Sequence, residues 1–165
     1  MEVFKTGPTE MKGEIWDEKG RFELVEILIT HQQDFINSIR FTYRIDEDAY
    51  HSKTYGKPNG LKFNMVEIGY PNEVLTSVSG KYKDGRLVSI AFETNKKKFG
   101  PFGRTGCSSN SSLYEDFRYE FTAGRFGGFH ESVDDGSMYA IGVYVKSYEV
   151  YTLDDFCEDL QMIFW

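Results

Sequence analysis

Three stretches of this chain repeat one uncommon spacing of apolar residues. The first runs Ile27, Ile29, a turn, then Ile36, Ile39, Phe41 and Tyr43. The second runs Ile68, Tyr70, a turn, then Leu75, Val78, Gly80 and Tyr82. The third runs Tyr119, Phe121, a turn, then Phe126, Phe129, Glu131 and Val133. Steps of two are the period of a strand with one buried face. The single step of three in each copy inserts an extra residue at the same point, which is how a β-bulge is written in sequence. A unit this small cannot bury its apolar face alone. Threefold repetition of an antiparallel unit therefore predicts three sheets packed around one axis, their inward faces supplying a shared core.

The rest of the chain agrees with an all-β fold. "FELVEILI", "LVSIAFET", "FRYEF" and "YAIGVYV" alternate and lie near turn-forming Gly, Pro, Asn, Asp or Ser. No helical period appears before about residue 150. A length of 165 residues suits one domain with one well-buried core. A hydrophobic fraction of 40% excludes disorder. The net charge of −7 argues against nucleic acid as the partner, since phosphate binding needs a basic face. The basic run Lys96 to Lys98 reads as a solvated turn.

No stretch approaches the ~20 apolar residues of a membrane helix. "MEVFKTGPTEM" has no apolar run after a basic start, so no signal peptide is expected. Cys107 and Cys157 lack metal or CxxC spacing and are expected as free thiols in a reducing compartment. The sequon at Asn110 is then idle. His31, His51 and His130 have no metal-ligand partners at short spacing, and neither a G-x-S-x-G motif nor a Cys/His acyl-transfer signature is present. "DED" at Asp46 to Asp48 does not fit a calcium loop, and "GRFGG" opens no helix. A non-enzymatic protein without metal or cofactor is expected.

Several blocks succeed one another in a telling order. They are Gly7–Pro8, "WDE" (Trp16 to Glu18), "INSIRFTY", "PNEVLTSVSGKY", "SIAFETNKKKFGPFG", "GGFH" and "AIGVYV". Over about residues 3 to 148 the chain resembles a jacalin-related lectin domain. That resemblance implies a β-prism: three four-stranded Greek-key sheets about a pseudo-threefold axis, in agreement with the repeat. It also implies a plant protein. The chain runs unbroken through the segment that galactose-binding members have cleaved, so it resembles the cytoplasmic, mannose-binding type.

Sugar recognition needs a fixed carboxylate or amide accepting from hydroxyls, backbone N–H donors, and glycines where the main chain approaches closely. In the family a Gly-rich loop before the "WDE" strand supplies one side of the site. A G-x-x-x-D turn before "AIG" supplies the other. Here Gly13 stands three residues before Trp16, where the resemblance places a contacting glycine. In the last turn, the Asp position holds Tyr139 and the glycine position holds Asp135. Gly136, Ser137 and Met138 remain to offer N–H groups, and Asp134 or Asp135 is the candidate replacement carboxylate. Tyr82 and the "KDGR" turn (Lys83 to Arg86) sit where family members often add a second contact, although "DG" there reads first as a plain hairpin. The expected ligand is a mannose-type glycan. The alternative is a lectin-fold protein-interaction module in plant defence or virus restriction, with little or no sugar binding.

The lectin domain is expected over residues 1–150 and an extension over 151–165. From Thr152, the residues Leu153, Phe156, Cys157, Leu160, Ile163 and Phe164 fall at helical spacing. Thr152 with Asp155 resembles a capping box. The segment carries four acidic and no basic residues. It predicts a short amphipathic helix that packs back on the prism, or meets a partner protein or a second copy through Leu153, Phe156, Leu160 and Phe164.

Overall fold

The computed structural model describes residues 3–8, 13–59, 62–104, 113–134 and 137–146. They form an all-β prism of three antiparallel sheets. One sheet draws on both ends of this region, in the order β1 (Val3–Thr6), β13 (Ser137–Lys146), β12 (Phe126–Asp134), β2 (Glu14–Asp17). The next has the order β5 (Asp48–His51), β4 (Ile36–Ile45), β3 (Leu24–His31), β7 (Lys62–Glu67). A short fifth strand, β6 (Tyr55–Gly56), also pairs with β4. The last has the order β10 (Lys98–Gly103), β9 (Arg86–Thr94), β8 (Leu75–Lys83), β11 (Glu115–Glu120).

The fifth strand is a departure from four per sheet, and its cause is local. Beside β4 the outer strand is broken in two. In the gap the Ser52 hydroxyl accepts the Phe41 N–H at 2.9 Å, while Ser52 N–H donates to Phe41 O at 2.7 Å. The ladder's backbone groups thus stay satisfied across the break.

Each sheet is built on a central hairpin, β3–β4, β8–β9 or β12–β13, and all three slip register by one residue at the same two places. Near the open end the slips lie between Leu24 and Glu26, Leu75 and Ser77, and Phe126 and Phe129. Near the tip, Ser38 and Ile36 face consecutive residues of β3, leaving Asn37 extra. Val88 and Tyr139 are extra in the same way on β9 and β13. Every predicted bulge is therefore present. The first copy of the sequence pattern, however, lies on the second strand of its hairpin, and the other two lie on first strands. Both central strands alternate inward in the same way, so the pattern alone does not distinguish them.

The inward positions meet on the axis. Phe41 from β4, Phe92 from β9 and Phe129 from β12, one from each sheet, are all 0% exposed. Ile27, Ile29, Ile39, Val78, Ile90 and Ile141 complete the surrounding core. Gly80 has no room for a side chain: a Cβ there would lie 2.2 Å from Ser89 O and 2.7 Å from the Phe117 ring. The predicted C-terminal helix and both cysteines lie outside the described residues.

Candidate functional site

Strand β2 pairs with β12 through Glu14 and Val133, and the residue just before β2 is Gly13. Its φ of +82° and the space around it both require glycine. A Cβ would lie 2.1 Å from Val133 O and 2.8 Å from the Asp134 Cα. The fold therefore brings Gly13 directly against the base of the β12–β13 hairpin, where Asp134 is exposed at the strand end. Asp134 pairs with Ser137, and Asp135 and Gly136 lie between them in the sequence. Those two residues, and the Ser137 side chain, lie outside the described residues.

The tip bulge decides how the residues after the turn are oriented. Val133 pairs with Met138 and Ser132 with Ala140, leaving Tyr139 as the inserted residue. The insertion lets Met138 and Ile141, three apart, both reach the core, Met138 at 1% exposure. Met138 offers the site only its backbone. Tyr139 is half-buried and turns away from the hairpin towards the neighbouring sheet. Its ring covers Gly85, where a Cβ would meet Tyr139 Cε2 at 2.6 Å. Gly85 (φ +71°) and Asp84 (φ +50°) form a two-residue left-handed turn between β8 and β9, as "DG" hairpins do.

Beside that contact runs a groove of about 650 Å³ between the edge strand β11 and strand β13. Its walls carry Tyr82, Phe117, Tyr119 and Tyr139, and its rim carries Asp84 and Glu115. Tyr82 stacks on Phe117 with centroids 4.7 Å apart, and Phe117 meets Tyr119 at 5.4 Å. Pairing of β13 with β1 ends at Val143, so the backbone of Ile141 needs other partners. Tyr82 supplies them. Its hydroxyl accepts the Ile141 N–H at 3.0 Å and donates to Ile141 O at 3.2 Å, joined by Tyr119 Oη donating at 3.3 Å. Burial, the first cause, pushes the Tyr119 phenol up to about 12 and Tyr82 higher still. Both rings are neutral walls at physiological pH.

Two buried polar groups lie apart from the groove. His130 bonds Thr6 O through Nε2 at 2.9 Å, and desolvation lowers its pKa, so the imidazole is neutral. Gly7 and Gly142 leave room for its ring. It ties β1 to the sheet. Glu131 is 0% exposed, and neither of its carboxyl oxygens meets a hydrogen-bond partner among the described residues. Burial raises its pKa well above the carboxylate range, and Glu18 nearby adds to the rise. Glu18 itself accepts hydrogen bonds from Tyr55 at 2.9 Å and from Tyr43. The sequence did hold a signal for Glu131, which occupies an inward position of the third repeat. Among the described residues no cluster of three His, Cys, Asp or Glu side chains is placed to hold a metal ion, and no helix is long and apolar enough to cross a membrane.

The family model for the jacalin-like lectin domain matches residues 7–144. The chain belongs to the jacalin-like lectin family. Among curated relatives, it is 31% identical over 140 residues to Protein RESTRICTED TEV MOVEMENT 1 of Arabidopsis thaliana, covering 79% of this chain and 76% of that one. It is 32% identical over 142 residues to Jacalin-related lectin 2 of Arabidopsis thaliana, with the same coverages. Among solved structures, a mannose-binding lectin from Champedak superposes with a TM-score of 0.72 at 23% identity, covering 89% of this chain and 99% of that one. A mannose-binding jacalin-related lectin from Ananas comosus gives a TM-score of 0.68 at 23% identity, covering 88% and 97%. These last two establish the β-prism. Gly13 thus adjoins the β12–β13 hairpin, while the Tyr139 ring lies over Gly85 of the neighbouring sheet.

Proposed function

We propose that this protein is a non-enzymatic, cytoplasmic lectin that binds mannose-type glycans at the tip of the β12–β13 hairpin, with Asp134 or Asp135 in place of the missing carboxylate. The observation that carries this reading is Gly13 seated against Val133 and Asp134, with the Asp134 carboxylate exposed beside it. A close-approach glycine next to a free carboxylate is the pairing sugar hydroxyls require. Gly136, Ser137 and Met138 contribute backbone N–H groups. The mannose-binding structural neighbours from Champedak and Ananas comosus support the mannose class.

A glycan array on the whole chain tests it. Binding of mannose or glucose oligosaccharides is expected, and Asp134→Asn combined with Asp135→Asn should weaken it at least tenfold. A charge-assisted hydrogen bond contributes ~1.5–3 kcal/mol, and each 1.4 kcal/mol is a factor of ten. Tyr139→Asp should strengthen binding. A wild-type chain that binds no mannose or glucose glycan overturns the reading.

One observation favours a second reading, a protein-interaction module in virus restriction. Tyr139 stands where the sugar-gripping Asp is expected, and a relative carries the name RESTRICTED TEV MOVEMENT 1. The interaction surface would then include the apolar tail residues Leu153, Phe156, Leu160 and Phe164, and self-association is the simplest form. Deleting 152–165 should lower the mass measured by light scattering to that of a monomer. An unchanged mass and an unchanged melting temperature would dismiss the tail from either role.

A further inference from the structure

We propose that the groove between β11 and β13 selects a cationic saccharide, an oligomer of hexosamine with free amino groups, as an extension of the glycan bound at the hairpin. This rests on the lectin reading above and assigns the ligand class of the adjoining surface. Strand register sets the groove's inner face. Glu115 pairs with Tyr82, and Phe117 and Tyr119 come after it at steps of two, so β11 presents Glu115, Phe117 and Tyr119 on one face beside Tyr82. Ring faces of this kind stack against the C–H faces of a sugar and attract a cation held over them.

Charge then selects among sugars. The groove is lined by three carboxylates, Asp84, Glu115 and Asp116, and by no basic side chain among the described residues. Asp116 is engaged by Lys81 at 2.9 Å. Asp84 and Glu115 are exposed and form no ion pair among the described residues. The nearby cations are held elsewhere: Lys83 and Arg104 lie over Tyr114, at 5.5 and 5.1 Å from its centroid. A neutral hexose gains only hydrogen bonds from such a rim, whereas an ammonium group gains charge pairing and cation–π contact as well.

The test uses the whole chain near pH 6, with calorimetric binding of three oligosaccharides of equal length: a fully deacetylated glucosamine oligomer, its N-acetylated counterpart and a mannose oligomer. The deacetylated oligomer should bind at least tenfold more tightly than its acetylated form. That preference should disappear in the Asp84→Asn, Glu115→Gln double variant and shrink at high salt. Asn tolerates the left-handed conformation at position 84, so the turn is kept. Equal binding of the charged and acetylated oligomers overturns the inference. So does a lysine-rich peptide that depends on Asp84 and Glu115 while the amino sugar does not. Mannose binding that is lost in the Asp134/Asp135 variant but untouched by the groove variant, with no preference for the amino sugar, would leave the lectin standing and overturn this extension. Absence of binding to any saccharide removes both.

Discussion

Replacing Glu131 with glutamine is expected to stabilise the protein at neutral pH and to reduce the fall of its stability with rising pH. Glu131 lies fully inside the prism without a hydrogen-bond partner among the described residues. Among the described residues, the titratable groups coupled to it are Glu18 after β2, Tyr43 on β4, Tyr55 on β6 and Tyr82 on β8, and none of these is basic. Ionising it there would place an unpaired charge in the core, so the folded protein holds it protonated. The unfolded chain releases that proton near the ordinary carboxylate pKa. Its folded pKa is raised, so the folded state binds more protons than the unfolded state above pH ~4.5. Stability is full below that value and falls as pH rises towards the folded pKa, by up to about 1.4 kcal/mol per pH unit. Glu18, whose pKa burial also raises, adds a smaller loss of the same sign. Glutamine keeps the shape and cannot ionise. Urea unfolding from pH 4.5 to 8 should show wild type and Glu131→Gln converging at the acid end and diverging towards pH 8. Parallel profiles would show that Glu131 does not titrate between the two states.

Phe129→Ala should cost about 3–5 kcal/mol, the range for removing a fully buried phenylalanine. Phe129 belongs to β12 and stacks on Phe41 of a different sheet, with centroids 4.2 Å apart and planes at 12°. Phe126 packs on it at 4.8 Å. The loss is therefore a cavity where two sheets meet on the axis, and neither twisted sheet can close it without disturbing its own ladder. Against a domain stability of about 5–15 kcal/mol, this brings the fold near its limit. Phe63→Ala is the contrast, since Phe63 is 73% exposed on the edge strand β7 and its removal should change stability by no more than about 0.5 kcal/mol. Urea midpoints with unchanged m-values measure both. A cost below about 1 kcal/mol for Phe129→Ala would contradict the role of the stacked pair.

Much of the architecture was legible because strand alternation and bulges leave direct marks in sequence. Ile36, Leu75 and Phe126 each precede a step of three, and each step contains a real register slip. Gly80, an anomaly in an apolar frame, is explained by its neighbours on other strands, Ser89 O and the Phe117 ring, which leave no space for a side chain. The break at Ser52 that adds a fifth strand has no mark in the alternation. Of the candidate site residues, Gly13 lies against Val133 and Asp134 of the hairpin. Where Tyr139 points was not legible, because it depends on a bulge and on a glycine 54 residues earlier in the chain (139 minus 85).

By itself, the sequence determined the all-β class, the three sheets and their common core, because the period of apolar residues is a local property that burial acts on directly. The family resemblance, carried by the same sequence, implied a carboxylate where Tyr139 stands. The tertiary structure alone decided that this tyrosine covers Gly85, that four aromatic rings and an acidic rim form a groove beside it, and that Glu131 is enclosed without a partner among the described residues. Each of those depends on side chains from different sheets meeting across the prism, and no spacing along one strand encodes such a meeting.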